Sequence, residues 1–219
     1  MTCCDLPKLF QPFYCENLVR LGKDYDGGYL VNKLDVFKST KLLTFGIGND
    51  GSFETDFLAL ANCPLESYDD AETTLELFAG QNTFHAEMIT KDNIGRILSA
   101  ESSGLFLKCD IEGREYEILD ELIRHSRKLS GLVMEFHSLQ VHNHSNDLVD
   151  FISKLGLRLV HVHVNNYTYL KGPNFNMPTV LELTFSSSDN LELHRDIVSP
   201  HPLDMPNNPE YPEFVIAFK

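Results

Sequence analysis

Strand-sized apolar runs alternate along this chain with stretches of helical periodicity, and that alternation restricts the possible folds more than any other feature. Such a sequence reads as successive βαβ units, which lay down a parallel sheet covered by helices. The first clear run, Lys41 to Phe45, enters Gly46-Ile47-Gly48-Asn49-Asp50-Gly51, and a helix is expected from Ser52 to about Ala61. Pro64 to Tyr68 reads as a second strand ending on Asp69 and Asp70, Phe84 to Ile89 as a third, and Asp92 to Ala100 as a short helix. Leu105 to Cys109 is a fourth strand, followed by Asp110-Ile111-Glu112-Gly113 and by a helix on which Tyr116, Leu119, Leu122 and Ile123 recur at helical spacing. Gly131 to Phe136 makes a fifth strand, Asn146 to Leu155 a helix closed by Gly156, and Leu157 to Val164 a sixth strand. Thr179 to Phe185 and Phe214 to Phe218 are further strands with no helix between them, so the sheet is expected to turn mixed at this end. Pro200 to Pro212, rich in proline and asparagine, reads as an ordered loop.

These 219 residues are most economically one domain: a cover segment over 1–40, a core over 41–185, and a tail with a last strand over 186–219. With 18 basic and 32 acidic side chains the formal charge is -14, which repels phosphate backbones and anionic lipid at long range. Neither nucleic acid nor a membrane is therefore expected as a partner. The five cysteines form no Cys-x-x-Cys pair, and Met1 to Asp5 shows no basic region leading into an apolar run. A reducing cytoplasm is the expected compartment.

Four of the strands end in groups able to do chemistry. Their ends read Gly46-x-Gly48-Asn49-Asp50, then Asp69-Asp70, then Asp110-x-Glu112-Gly113, then Glu135-x-His137. In doubly wound sheets ligands bind at such carboxyl ends, where loops and helix N-termini converge. A glycine turn lets a ligand approach the backbone, because no Cβ obstructs it. The dinucleotide Gly-x-Gly-x-x-Gly pattern is absent, since Phe53 or Glu54 stands where a third glycine is wanted. Asp69 lies about twenty residues beyond the first glycine, at the end of the next strand, where an acid accepts hydrogen bonds from a ribose diol. A glycine turn with such an acid points to an adenosine-type ligand.

The string Leu107-Lys108-Cys109-Asp110-Ile111-Glu112-Gly113-Arg114-Glu115 resembles the Lys-x-Asp-hydrophobic-Glu-Gly-x-Glu signature of the FkbM family of methyltransferases. Met134-Glu135-Phe136-His137 is similar to that family's next strand end, and His161 to Tyr167 to its His-x-His-Gly-Asn-Asn-Tyr segment. Arg20-Leu21-Gly22, Asp26-Gly27-Gly28-Tyr29 and Thr44 to Glu54 look like the opening of related methyltransferase-like proteins. The resemblance implies a Rossmann-like class I methyltransferase domain with a mostly parallel, seven-stranded type of sheet and helices on both faces. It also implies S-adenosylmethionine as donor and a hydroxyl or phosphate-type oxygen on a small or carbohydrate-type acceptor. On that reading Gly46, Ile47, Gly48, Asn49, Asp50, Asp69, Asp70 and Asp110 hold the donor. Tyr29, Glu112, Glu135, His161, Asn165, Asn166 and Tyr167 face the acceptor. Two departures stand out: Thr44 replaces the acid common two residues before the first glycine, and Val164 replaces the glycine before Asn-Asn-Tyr.

Methyl transfer asks a protein to align an acceptor oxygen and remove its proton. A base near neutral pH is most simply a histidine, so His137 is the first candidate and His163 the second, with Asp110 a third. Glu135 and His137 share one face of their strand, as do His161 and His163 of theirs. With Asp110 and Glu112 they could hold a divalent cation through oxygen and imidazole ligands, or simply hydrogen-bond the acceptor. His142 and His144 read as solvated. The competing classes are a non-catalytic module binding an adenosine nucleotide and, less favoured without the third glycine, an NAD-dependent oxidoreductase. Acceptor identity and oligomeric state stay open.

Overall fold

The computed structural model describes residues 2–71, 76–78, 80–171, 176–189, 191–192, 197 and 199–219. Its strands are β1 (Thr2–Leu6), β2 (Leu18–Leu21), β3 (Tyr29–Asn32), β4 (Lys41–Phe45), β5 (Leu65–Asp69), β6 (Thr83–Ala86), β7 (Leu105–Cys109), β8 (Leu129–Phe136), β9 (Arg158–Val164), β10 (Tyr169–Lys171), β11 (Asn176–Pro178), β12 (Leu181–Ser186) and β13 (Phe214–Phe218). The helices are α1 (Lys33–Phe37), α2 (Ser52–Ala61), α3 (Ile94–Ala100), α4 (Leu119–His125) and α5 (His144–Lys154). Seven of these strands make the central sheet, in the order β6-β5-β4-β7-β8-β12-β9. β6, β5, β4, β7 and β8 pair in parallel, while β12 runs antiparallel to both β8 and β9. This is a mixed α/β, Rossmann-like arrangement.

The central parallel strands β4, β7 and β8 are buried along almost their whole length, as strands covered on both faces must be. Their side chains alternate between two cores. Leu43, Phe45, Leu107, Cys109, Leu132, Met134 and Phe136 pack against apolar residues of α3, α4 and α5. Leu42, Phe106 and Val133 pack on the other face against Phe53 and Phe57 of α2 and Tyr29 and Val31 of β3. By the same alternation Thr44, Lys108 and Glu135 belong to this second face. Polar side chains of the central strands are thus gathered under α2 and the β2–β3 hairpin.

The chain leaves β4 to one side, through α2 into β5, and later enters the other side of β4 as β7. Connections diverge at this point, so the loops after β4 and β7 splay apart and open a crevice at their carboxyl ends. That crevice is the first place to look for a ligand.

Several boundaries differ from those the sequence suggests. The third strand spans only Thr83–Ala86 and stops short of Ile89. Asn93 pulls the following residues out of the ladder: its side chain donates to Glu87 and to the Met88 carbonyl and accepts from the Thr90 amide. Tyr116 lies in a 3₁₀ turn, Glu115–Glu117, and the helix proper starts at Leu119. Phe214–Phe218 is a strand, but outside the central sheet. It pairs in parallel with Thr2–Leu6, and Phe214 and Ile216 join Cys4 and Leu6 in the first core. The β1, β2, β10 and β11 strands were not anticipated.

Candidate functional site

The turn after β4 is a glycine turn by necessity. Gly46 has φ +75°, and a Cβ there would lie 1.6 Å from the Asp110 carbonyl oxygen. Its amide donates to the Tyr68 carbonyl, and the Asp110 amide donates to the Phe45 carbonyl, so the ends of β4, β5 and β7 are laced together. Gly48 also has positive φ, +57°, but nothing lies within 4 Å of where its Cβ would stand. Its bare backbone faces open space. Next to it, Asp69 accepts from the Gly48 amide at 2.8 Å and from the Ala71 amide at 3.2 Å, which fixes the acid at the end of β5.

These groups enclose one cavity of about 450 Å³, lined by Gly46, Gly48, Tyr68, Asp69, Asp70, Met88, Ile89, Asp110, Ile111, Glu112 and Arg114. Three of the four strand ends singled out in the sequence therefore open onto shared space. The fourth is its neighbour: His137 Nε2 stands 3.9 Å from Asp110 Oδ1, 3.6 Å from Glu112 Oε2 and 3.8 Å from Glu135 Oε1. The ring is held from behind, where Nδ1 is 3.0 Å from Glu115 Oε1. Glu115 is fully buried and also accepts from the Gly113 amide, so the loop after β7 and the end of β8 are locked to each other.

Charge at this corner is unusually dense. Burial raises the Asp110 carboxyl, an effect that Lys108 and His137 oppose and do not overcome. Burial, with Asp110 and Glu182 close by, pushes Glu135 well above the usual carboxylate range. Burial alone would disfavour an imidazolium at His137, but Glu115, Glu135 and Asp110 outweigh it and hold that histidine at about 9. Unliganded, His137 carries a proton at neutral pH, which makes it a poor proton acceptor and a good counter-charge. Tyr29 reaches in from β3, its hydroxyl donating to Glu135 Oε2 at 3.1 Å and to Asp110 Oδ2 at 3.3 Å. Asn165 donates to the other Glu135 oxygen at 2.9 Å.

Other candidate residues are placed elsewhere. Ile47 is buried, Asn49 is exposed, and Asp50 pairs with Lys23 at 2.9 Å while capping the Ser52 amide; none of the three lines the cavity. His163 is enclosed between Glu182 at 3.0 Å and Glu213 at 3.2 Å. Burial works against its charged form, but Glu182 and Glu213 raise it well above the usual imidazole range, so it reads as a fixed cation. His161 Nε2 lies 2.9 Å from Asp204 Oδ1. Asn166 donates to the Asn208 and Tyr211 carbonyls and pins the C-terminal loop, whereas Tyr167 is half exposed.

The sequence reading passed over Lys108, Glu54 and Glu115. Lys108 is buried with its ammonium 3.3 Å from the Gly46 carbonyl and 3.7 Å from Glu54 Oε1, and Thr44 donates to that same glutamate oxygen. Thr44, the departure from the family pattern, is thus joined to an acid in the first turn of α2 instead of being one. For Lys108 the available signal was a charged side chain inside a run of apolar strand residues, since lysine is rarely buried without a partner.

No family model matches this chain, and no curated protein matches it. Solved structures with low identity share parts of its outline. The precorrin-6y C5,15-methyltransferase of Geobacter metallireducens is 16% identical over 70% of this chain and 85% of that one, with a TM-score of 0.42. A SAM-dependent methyltransferase from Archaeoglobus fulgidus is 10% identical over 69% and 88%, with a TM-score of 0.43. The Methanococcus jannaschii fibrillarin pre-rRNA processing protein is 8% identical over 69% and 68%, also at 0.43. Likeness at this level says nothing of what the present chain binds or modifies. No helix among the described residues is long and apolar enough to cross a membrane.

Proposed function

We propose that this protein is an S-adenosylmethionine-dependent methyltransferase acting on a hydroxyl or phosphate-type oxygen of a small or carbohydrate-type acceptor. The observation that carries the reading is the shared cavity at the switch point, with Gly46 and Gly48, Asp69 and Asp70, and Asp110 on its walls. An adenosyl group fits this lining: bare backbone at Gly48 permits close approach, and Asp69 keeps lone pairs for a ribose diol beyond the two amides it already accepts. When bound, the donor supplies an electrophilic methyl group. The chain's part is to seat the acceptor oxygen beside Asp110, exclude water and receive the acceptor's proton. Asp110 is the favoured receiver, because it lines the cavity in which the acceptor would sit whereas His137 does not. His163, enclosed by its two glutamates, is assigned a structural part. Membership of the FkbM family belongs to the same proposal, supported by the Lys108 to Glu115 string and by His161 to Tyr167.

Calorimetry with S-adenosylmethionine, S-adenosylhomocysteine, NAD and ATP tests the reading. The two adenosyl-sulfur compounds are expected to bind, and Asp69→Ala to weaken both by about tenfold or more. Binding of NAD alone overturns it. A panel of sugars, phosphorylated sugars and short RNAs then separates acceptor classes, with the net charge of -14 favouring the first two. Binding of the donor without methyl transfer to any of them would support the non-catalytic nucleotide module.

A further inference from the structure

We infer that Asp110, Glu135 and His137 form a binding site for one divalent cation beside the cavity, which Asp110 lines. The three are brought together from the ends of two adjacent strands, and one ligand atom from each lies within 4.8 Å of the others. His137 Nε2 faces Asp110 and Glu135 at 3.9 and 3.8 Å. That is too far for a hydrogen bond. Two atoms that each lie at coordination distance, about 2.1–2.2 Å, from one common ion stand about 3.0–4.4 Å apart, a range that includes both separations.

Two further features point to an ion and not merely to clustered acids. Asp110 Oδ1 is shielded from solvent and has no hydrogen-bond partner, although it is the very oxygen that faces His137. A buried carboxylate oxygen left in that state is costly unless something charged meets it. His137 is also oriented as metal-bound histidines are: its other nitrogen is fixed by a buried carboxylate, Glu115, which sets the tautomer and aims Nε2 at the cluster. The oxygens turned away from His137, Asp110 Oδ2 and Glu135 Oε2, both meet the Tyr29 hydroxyl, and the Asn165 amide donates to Glu135 Oε1 itself, which keeps a second lone pair for an ion, so both carboxylates are held in place from outside the cluster. Glu112, highly exposed and 3.6 Å from Nε2, stands at the mouth where it can supply a fourth ligand.

Two carboxylates and one imidazole suit a hard or borderline ion, with Mn²⁺ or Mg²⁺ favoured over softer metals because no thiolate takes part. Three protein ligands leave positions for water or for oxygens of a small molecule in the adjoining cavity. Only this last consequence rests on the methyl-transfer reading: an acceptor with two neighbouring oxygens could chelate the ion, and the ion would lower the pKa of the hydroxyl to be methylated.

The test is titration of the full-length chain with Mn²⁺ at neutral pH, followed by the electron paramagnetic resonance of the free aquo ion, with thermal melts alongside. One equivalent of Mn²⁺ is expected to leave the free signal and to raise the melting temperature, and Mg²⁺ in excess to displace it. Asp110→Asn, Glu135→Gln and His137→Gln, close in shape to the originals, are each expected to weaken Mn²⁺ by at least about tenfold, and Glu115→Gln by a comparable factor through loss of ring orientation. Glu121→Gln, in the exposed pair with Arg124, is expected to leave it unchanged. A variant whose melt shows it to be unfolded is read through the other two ligands. Failure to bind Mn²⁺ or Mg²⁺, or binding that the ligand variants leave intact, overturns the assignment. Donor calorimetry on the same protein reports independently on the methyltransferase reading.

Discussion

At the scale of single residues, two positions carry most of what makes the crevice possible. Gly46 combines a left-handed backbone with a neighbouring carbonyl where its Cβ would go. Gly46→Ala is expected to destabilise the chain by on the order of 3 kcal/mol or more and to abolish donor binding, read by urea denaturation and calorimetry. Lys108 is the buried cation beneath that turn, with the fully buried Glu54 opposite. Lys108→Met leaves the glutamate without a counter-charge, so a loss of about 3–5 kcal/mol is expected. Adding Glu54→Leu removes the stranded charge, and the double variant should be more stable than Lys108→Met alone. If the two losses simply add, the buried pair is not coupled as described. Glycine at the turn was legible from the chain, because strand, glycine, helix is a local pattern. Lys108 was visible only as an anomaly, since its partner sits on a different element.

Elements explain which helices form and where they stop. In α5 the buried residues Leu148 and Phe151, followed by Leu155, lie at helical spacing, and Gly156 ends the run with φ +78°. A Cβ at Gly156 would meet nothing closer than Ser126 Oγ at 3.6 Å. Gly156→Ala is therefore expected to lose about 1 kcal/mol by backbone strain alone, without any steric clash, and chemical denaturation should show it as a uniform loss with no change in slope. The β2–β3 hairpin teaches the opposite lesson. Val19 and Leu21 face Val31 and Tyr29 across its ladder, and the hairpin closes the second face of the sheet. Its first strand was missed because four residues with an arginine in the middle give too short a run for periodicity to register.

For the whole molecule, the C-terminal loop is tied to the sheet by charge. Asp204 meets His161 of β9, and Glu213 meets His163. Burial opposes ionisation of Asp204, yet His161, His163 and the His201 amide hold its carboxyl down at about 2. A depressed carboxyl stabilises the folded state above its unfolded value near 3.8, and that stability disappears as pH falls through about 2. Between pH 5 and pH 2 the wild type should thus lose about 2 kcal/mol that Asp204→Asn, already lacking it, does not lose. Parallel acid titrations of the melting temperature would show converging curves; curves that stay parallel would mean the pair contributes nothing.

What the chain determined by itself is the sequence of strand-like and helix-like segments and the short strings at strand ends, because those depend on neighbours within a few residues. The succession of β4, β5 and β7 along the chain, the glycine turn and the acids at 69, 70 and 110 could all be read that way. Which histidine would face the cavity could not. His137 and His163 both end up near carboxylates, and only the insertion of β12 between β8 and β9 separates them, placing one against Asp110 and enclosing the other between Glu182 and Glu213. Strand order is a long-range choice made by packing two faces at once, and the protonation state of each imidazole follows from the charges that this choice brings beside it.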